Sequence, residues 1–511
     1  MRRQCTLLLF VSAVCFASCT DGVRAVVEAE LSDFGAFVEQ LDTSALRQAF
    51  SEVVKKDVGR TFASDDMVRQ HYADTATMEG VPLWFTRMGV AKEADEMLDY
   101  LRREVPLAGL DSTVFLVREI AADLGKAHAL QFDSVAGGIN KLLARLDYNL
   151  SRAYMRLAVG QRAGFMNPEH AFNHLDRRVD DKGFARLFDY EVATPDREGA
   201  MQQLCYGDRM GYLQGSEPQT DLYQHYKRAL ALTADSAQRH KLAVNMERCR
   251  WRMESASSGG PRVIVNLAAQ QLWAVGRDSD LTMRTCIGTT RTKTPLLHSR
   301  ITYLQVNPDW IITPNIIKNE VSSHAGDSAY FARHRYYIID KTTSDTLNPA
   351  TVSPDQMRSG SLRVGQQGGV GNSLGRIVFR FPNNFSVYLH DTSNRGAFQS
   401  DHRTLSHGCV RVQNPFELAC FLLPDLDAWT LDRFRISMDL PPQTQQGRDY
   451  LRTHANARRP FRLIGYHGVS PAVPIYIIYH TAYPNPSTGQ MEYWPDIYGY
   501  DAVVSRSVPV V

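Results

Sequence analysis

Apolar positions change their spacing once along this chain. Over residues 24–255 they return every three to four positions. The segment 142–157 (LLARLDYNLSRAYMRL) sets Leu142, Leu146, Leu150, Ala153 and Leu157 on one stripe, with Arg145, Asn149 and Arg152 off it. That is helical spacing. Residues 224–253 read the same way. Ser257-Ser258-Gly259-Gly260-Pro261 interrupts the pattern as a linker. Beyond it, Val263-Ile264-Val265 and Leu272-Trp273-Ala274-Val275 flank a short polar turn and predict a hairpin. Strand-like runs follow at 283–288, 301–306, 376–381 and 385–390. Ile475-Tyr476-Ile477-Ile478-Tyr479 is the clearest strand near the end. The fold class expected is α+β and multidomain, a helical first half before a mainly-β second half.

The front of the chain has a different texture. Arg2 and Arg3 precede an uncharged run, CTLLLFVSAVCFA over 5–17, which ends in Phe16-Ala17-Ser18-Cys19. A positive end, a short apolar run and small residues describe a secretory signal. Cysteine directly after Ala-Ser resembles a bacterial lipoprotein signal, in which Cys19 would carry the lipid. A plain signal cut near Ser18 is the other reading. The run is short for a permanent membrane span.

With 511 residues, 44% hydrophobic and 22% charged, the chain is long enough for two or three ordinary globular cores. Its net charge of +2 and the lack of a basic block argue against nucleic acid as the main partner. Of eight cysteines, those at 205, 249, 286, 409 and 420 lie beyond the leader. Five is odd, so at least one thiol stays free. Cys205 and Cys249 both fall in the helical half and are a possible pair. Residues 365–375 (GQQGGVGNSLG) are glycine-rich, but a strand-like run follows them. A phosphate cradle needs a helix there, so a loop or lid beside a site is the better reading.

The chemistry concentrates in 385–412, FSVYLHDTSNRGAFQSDHRTLSHGCVRV. A thiol nucleophile needs a base, a group that orients the base, and N–H donors for the oxyanion. Cys409 sits between Gly408 and Val410 among small and polar neighbours, which is wrong for a core cysteine. Cys286 and Cys420 fit the core role better. Gly408 suits a close approach of backbone and substrate, and the Cys409 N–H is a natural donor. His407 is near in sequence, yet His390, nineteen positions before Cys409, can face the thiol across a sheet and is preferred as base. A nearby carbonyl such as that of Asp391 would hold its Nδ1. The competing reading is a zinc site from His390, His402, His407 and Cys409, whose spacing matches no familiar knuckle.

These residues resemble the L,D-transpeptidase (YkuD-like) family, and within it the large YcbB-type branch. Its local pattern stands here as Tyr388-Leu389-His390-Asp391-Thr392 and Ser406-His407-Gly408-Cys409-Val410-Arg411-Val412. Ile287-Gly288 with Thr294-Pro295, Asn307-Pro308-Asp309-Trp310, Asn372-Ser373-Leu374-Gly375-Arg376 and Asp496-Ile497-Tyr498-Gly499 are similar as well. The resemblance implies a signal over 1–19, a helical scaffold domain over 20–256, and a catalytic domain over 261–440 whose segment 313–375 caps the site. A C-terminal β extension over 441–511 would pack on this core. It implies Cys409 as nucleophile and His390 as proton carrier. Gly408, His407, Ser406 and Asp391 would support the oxyanion and the base, and Tyr388 and Arg411 would meet substrate. The partners implied are peptidoglycan stem peptides, a tetrapeptide donor and a diaminoacid acceptor. Carbapenems would be covalent inhibitors. No cofactor and no metal are called for. An L,D-carboxypeptidase and a non-catalytic wall-binding lipoprotein are the alternatives. Residues 160–230 lack the small peptidoglycan-binding module that larger relatives carry.

Overall fold

The computed structural model describes residues 41–511 except 58–61, 74–81, 87, 133–137, 179–182, 254–258, 277–278 and 458–460. The expected leader with Cys19 lies outside the described residues, as do Ser257 and Ser258 of the linker. The chain divides into two compact units. One comprises Met1–Met166, Val192–Met253 and Val504–Val511, the other Asn167–Glu191 and Glu254–Val503.

The first unit is helical and built on α1 (Gly138–Ala163). Leu142, Leu146, Leu150, Ala153 and Leu157 are buried as the stripe requires. Asn149 and Arg152 are buried too, contrary to the two-faced expectation, because other helices pack around α1 on several sides. A charge taken out of water needs a partner. Arg152 meets Asp57 at 3.0 Å and Arg156 meets Asp65 at 2.6 Å. The expected helix over 224–253 is two, α2 (Asp221–Leu232) and α3 (Ser236–Arg250). Asp235 caps the second by accepting the Gln238 N–H at 2.7 Å, a signal that the unbroken apolar periodicity masks. Cys205 and Cys249 are both free thiols.

The second unit also takes residues 167–191, which the sequence assigns to the scaffold. The short strand Phe188–Asp189 pairs with Leu296–Leu297, and Lys293 meets Asp176 at 2.6 Å. Its strands are β1 (Arg262–Asn266), β2 (Gln271–Val275), β3 (Leu281–Gly288), β4 (Leu296–Val306), β5 (Trp310–Ile311), β6 (Tyr336–Asp340), β7 (Thr346–Leu347), β8 (Leu362–Gln366), β9 (Ile377–Arg380), β10 (Leu389–His390), β11 (Thr404–Ser406), β12 (Val410–Val412) and β13 (Tyr466–Ile478). The main sheet runs β9-β10-β12-β3-β2-β1-β13-β4, and β4 pairs with β9, so the path returns on itself. β13 lies between β1 and β4. Residues 441–511, expected as a β extension on this core, thus supply a strand of the ring itself. The run expected over 385–390 shortens to Leu389–His390. Asn383 Oδ1 accepts the N–H of Phe385 and of Val387, and Ser386 takes φ +56°, so the first residues form a turn.

β5 to β8 form a separate sheet in the order β7-β6-β8-β5. It carries its own core, including Ile312, Val321, Phe331, Ile338 and Val364. Most of the segment 313–375, expected to cap the site, falls within this sheet and its core, whose first strand starts at Trp310.

Candidate active site

β10 and β12 run parallel, with Leu389 opposite Val410 and His390 opposite Arg411. The Val410 N–H continues the ladder by donating to the Tyr388 carbonyl at 3.1 Å. Side chains alternate along a strand. Leu389, Val410 and Val412 therefore go into the apolar interior, while Tyr388, His390, Cys409 and Arg411 share the other face. That one register brings together residues nineteen positions apart.

His390 is buried, and its Nδ1–H donates to the Asp391 carbonyl at 2.5 Å. A carbonyl only accepts, so this bond fixes the tautomer and leaves the Nε2 lone pair free to take a proton. Burial and the neighbouring Arg411 cation push the imidazole down to about 3, against the carbonyls of Asp391 and Leu374. Behind it, Asp391 accepts the Arg376 N–H and an Arg395 N–H, both at 2.8 Å. Burial raises the Asp391 carboxyl, and Arg395 opposes the shift.

Cys409 is half-buried, and burial pushes its thiol up to about 11. Hydrogen bonds with Tyr388 and the cations Arg380 and Arg411 pull the other way. Both shifts favour the neutral forms, a thiol and an unprotonated imidazole. Tyr388 also bonds the Trp310 indole and lies under the Arg380 guanidinium, 4.3 Å from ring centre. Burial raises its phenol well above the ordinary range.

Gly408 has φ +116°, a region closed to side chains. A Cβ there would meet nothing closer than 3.8 Å. Conformation by itself demands glycine here, whatever room the site needs for substrate. Ser406 bridges the turn: its Oγ accepts the Gly408 N–H at 3.1 Å and its hydroxyl donates to the Cys409 carbonyl at 2.5 Å. The Gly408 N–H is thus engaged within the loop. Among the described residues the Cys409 N–H has no hydrogen-bond partner and is the donor left for an oxyanion.

His407 is exposed, and its Nε2 meets Glu320 of the cap at 2.7 Å. Arg411 is half-buried, and its Nε has no hydrogen-bond partner among the described residues. His402 is exposed. Among the described residues no three potential metal ligands gather, so the four residues of the zinc reading do not form a cluster. The glycine-rich stretch leads into β9 and, with Arg376, Asp391, Arg395 and Glu417, lines a cavity of about 450 Å³ on the Asp391 side. Arg380 and Glu320 escape a sequence reading, and Trp310 is legible only as part of the Asn307-Pro308-Asp309-Trp310 segment, because only the sheet pairings and the folded cap bring them here.

Residues 260–428 match the family described as the L,D-transpeptidase catalytic domain, YkuD. Residues 66–230 match the one described as the Scaffold domain. The chain carries an L,D-transpeptidase catalytic domain. Scaffold first and YkuD second is the YcbB-type architecture. A protein of Haemophilus influenzae provisionally named an L,D-transpeptidase is 28% identical over 327 residues, 62% of this chain. The chain spans 60% of that relative's length. Among the described residues no helix is long and apolar enough to cross a membrane.

Proposed function

We propose that this protein forms 3→3 cross-links between peptidoglycan stems through a thioester on Cys409. The observation that carries the reading is the shared face of Cys409 and His390, with the imidazole locked in the tautomer that presents Nε2 as a base. His390 Nε2 takes the Sγ proton as sulfur attacks the amide carbonyl between the donor's diaminoacid and its terminal D-Ala. The Cys409 N–H holds the oxyanion, a donor of the kind worth ~3 kcal/mol in the barrier. The C–N bond breaks, His390 returns the proton to the leaving amine, and D-Ala departs. The side-chain amine of a second stem then attacks the thioester and gives its proton to His390. The amide forms and sulfur leaves as thiol.

Tyr388, bonded to the sulfur, and Arg411, beside His390 with an unpartnered Nε, are the groups that meet substrate. Asp391 and Ser406 position the base and the nucleophile loop. His407 ties that loop to the cap. Lipidation at Cys19 anchors the protein at a membrane facing the wall. The leader composition supports that location.

Water in place of the acceptor amine makes the same site an L,D-carboxypeptidase. Mass spectrometry of products from disaccharide–tetrapeptide separates the two. Cross-linked dimers are the expected product, and free tripeptide stems alone would overturn the transpeptidase reading. A carbapenem acylates an active thiol, so a one-to-one adduct is expected on Cys409. Its absence would favour a non-catalytic wall-binding protein.

A further inference from the structure

The strand register extends the active-site face well beyond the nucleophile. Arg380 pairs with Tyr303, and Val378 pairs with both His390 and Gln305. On β13, Tyr466 pairs with Gln305 and Gly468 with Tyr303. Paired residues of a sheet share a face. Cys409, Tyr388, Arg380 and Tyr303 therefore form one row across β12, β10, β9 and β4. Leu389, Phe379 and Leu304 occupy the buried face beneath. The row ends in two exposed aromatics. Tyr303 is 39% exposed and Tyr466 is 68% exposed, with ring centres 6.2 Å apart and planes inclined by 45°. Polar contacts tie this pair to the site. Arg380, stacked on Tyr388, donates to Gln305 Oε1 at 3.2 Å, and Gln305 Nε2 donates to the Tyr466 hydroxyl at 3.0 Å. Position 468, opposite Tyr303 and on the Tyr466 face, is glycine, and a Cβ there would find nothing within 4 Å, so the floor beside the rings is open.

We infer that Tyr303 and Tyr466 form a subsite for the sugar ring that carries the donor stem. The inference rests on the peptidoglycan reading of the site. Two arguments select a pyranose. Its chemistry fits, because one face of C–H groups packs on aromatic rings while its hydroxyls and N-acetyl group take the Gln305 amide and the tyrosine hydroxyls. Its reach also fits. Three strand spacings of about 4.8 Å put Tyr303 roughly 14 Å from Cys409. Three extended residues, from the attacked carbonyl back to the sugar link, span roughly 10 Å, and the ether to the sugar carries the chain further. A free stem peptide ends before the tyrosines, whereas a stem on its disaccharide ends on them.

The test is calorimetric titration of Cys409→Ala protein with disaccharide–tetrapeptide and with free tetrapeptide. The expected Kd is about tenfold lower for the disaccharide form, the size given by two ring contacts. Tyr303→Ala with Tyr466→Ala should bring the ratio of the two Kd values to about one. Phenylalanine at both positions keeps the ring faces and should keep most of the preference. Equal Kd values before substitution, or a ratio unmoved by the two alanines, would overturn the subsite. Intact wild-type protein tested beside it separates the two claims. A disaccharide preference without any acyl-enzyme or product sinks the cross-linking reading and leaves the sugar subsite standing.

Discussion

Replacing Gly408 by alanine separates backbone conformation from crowding at the nucleophile. The added methyl has room, since its nearest neighbours stand at 3.8 Å. The dihedral is the obstacle: φ +116° costs a non-glycine residue about 1–3 kcal/mol. The turn relieves that cost by rotating about the Gly408 N–Cα bond, which moves the 407–408 and 408–409 peptides relative to each other. Rotation breaks the Gly408 N–H bond to Ser406 Oγ and turns the Cys409 N–H away from the oxyanion. Loss of one such donor lowers kcat by about 10²–10³. If the strain is kept instead, the variant melts about 2–12 °C lower for a unit of this size and retains more activity. The assay is carbapenem acylation, followed by mass, beside a melting curve. Gly465→Ala, with open space around its Cβ and no positive φ, is the control. A Gly408→Ala protein with wild-type acylation rate and wild-type melting temperature would refute the reasoning.

Further outcomes follow from the same geometry. Burial holds the His390 imidazole at about 3, so kcat/KM should show no acidic limb near pH 6.5, the unperturbed value. The unfolded chain binds the extra proton in that window, so stability should fall as pH drops from about 6.5 toward 3. With the Cys409 thiol at about 11, iodoacetamide alkylation should still be rising at pH 10, and a plateau near neutrality would contradict a resting thiol. Ser406→Ala removes the bridge between the Gly408 N–H and the Cys409 carbonyl. At ~1 kcal/mol for each of two hydrogen bonds, it should melt lower and acylate ten- to a hundredfold more slowly, and unchanged rates would remove Ser406 from the positioning role.

The helical stripe of α1, the hairpin of β1 and β2, and the terminal strand were legible because each is a local pattern. The change of texture near 257–261 marked the start of the β-rich half for the same reason. What stayed hidden depends on pairing between distant segments. Nothing local says that β13 closes the ring, or that 167–191 joins the second unit through Phe188 and Asp176. The resemblance placed Gly408 and Ser406 together in support of the site, and only the fold shows the Gly408 N–H bonded to Ser406 Oγ. Proximity in the chain suggested His407 as a base. The folded cap gives that imidazole to Glu320 instead. Arg380 and Trp310 complete the surroundings of Tyr388 through sheet pairing and cap folding, for which a single sequence has no signal.

The central claim is that Cys409 carries the acyl group. Intact-mass analysis of wild-type protein mixed briefly with disaccharide–tetrapeptide, beside Cys409→Ala, tests it most directly. A wild-type species heavier by the donor minus one D-Ala is expected, mapped to Cys409, with free D-Ala in solution and neither signal in the variant. Release of D-Ala or dimer formation by Cys409→Ala protein would contradict it.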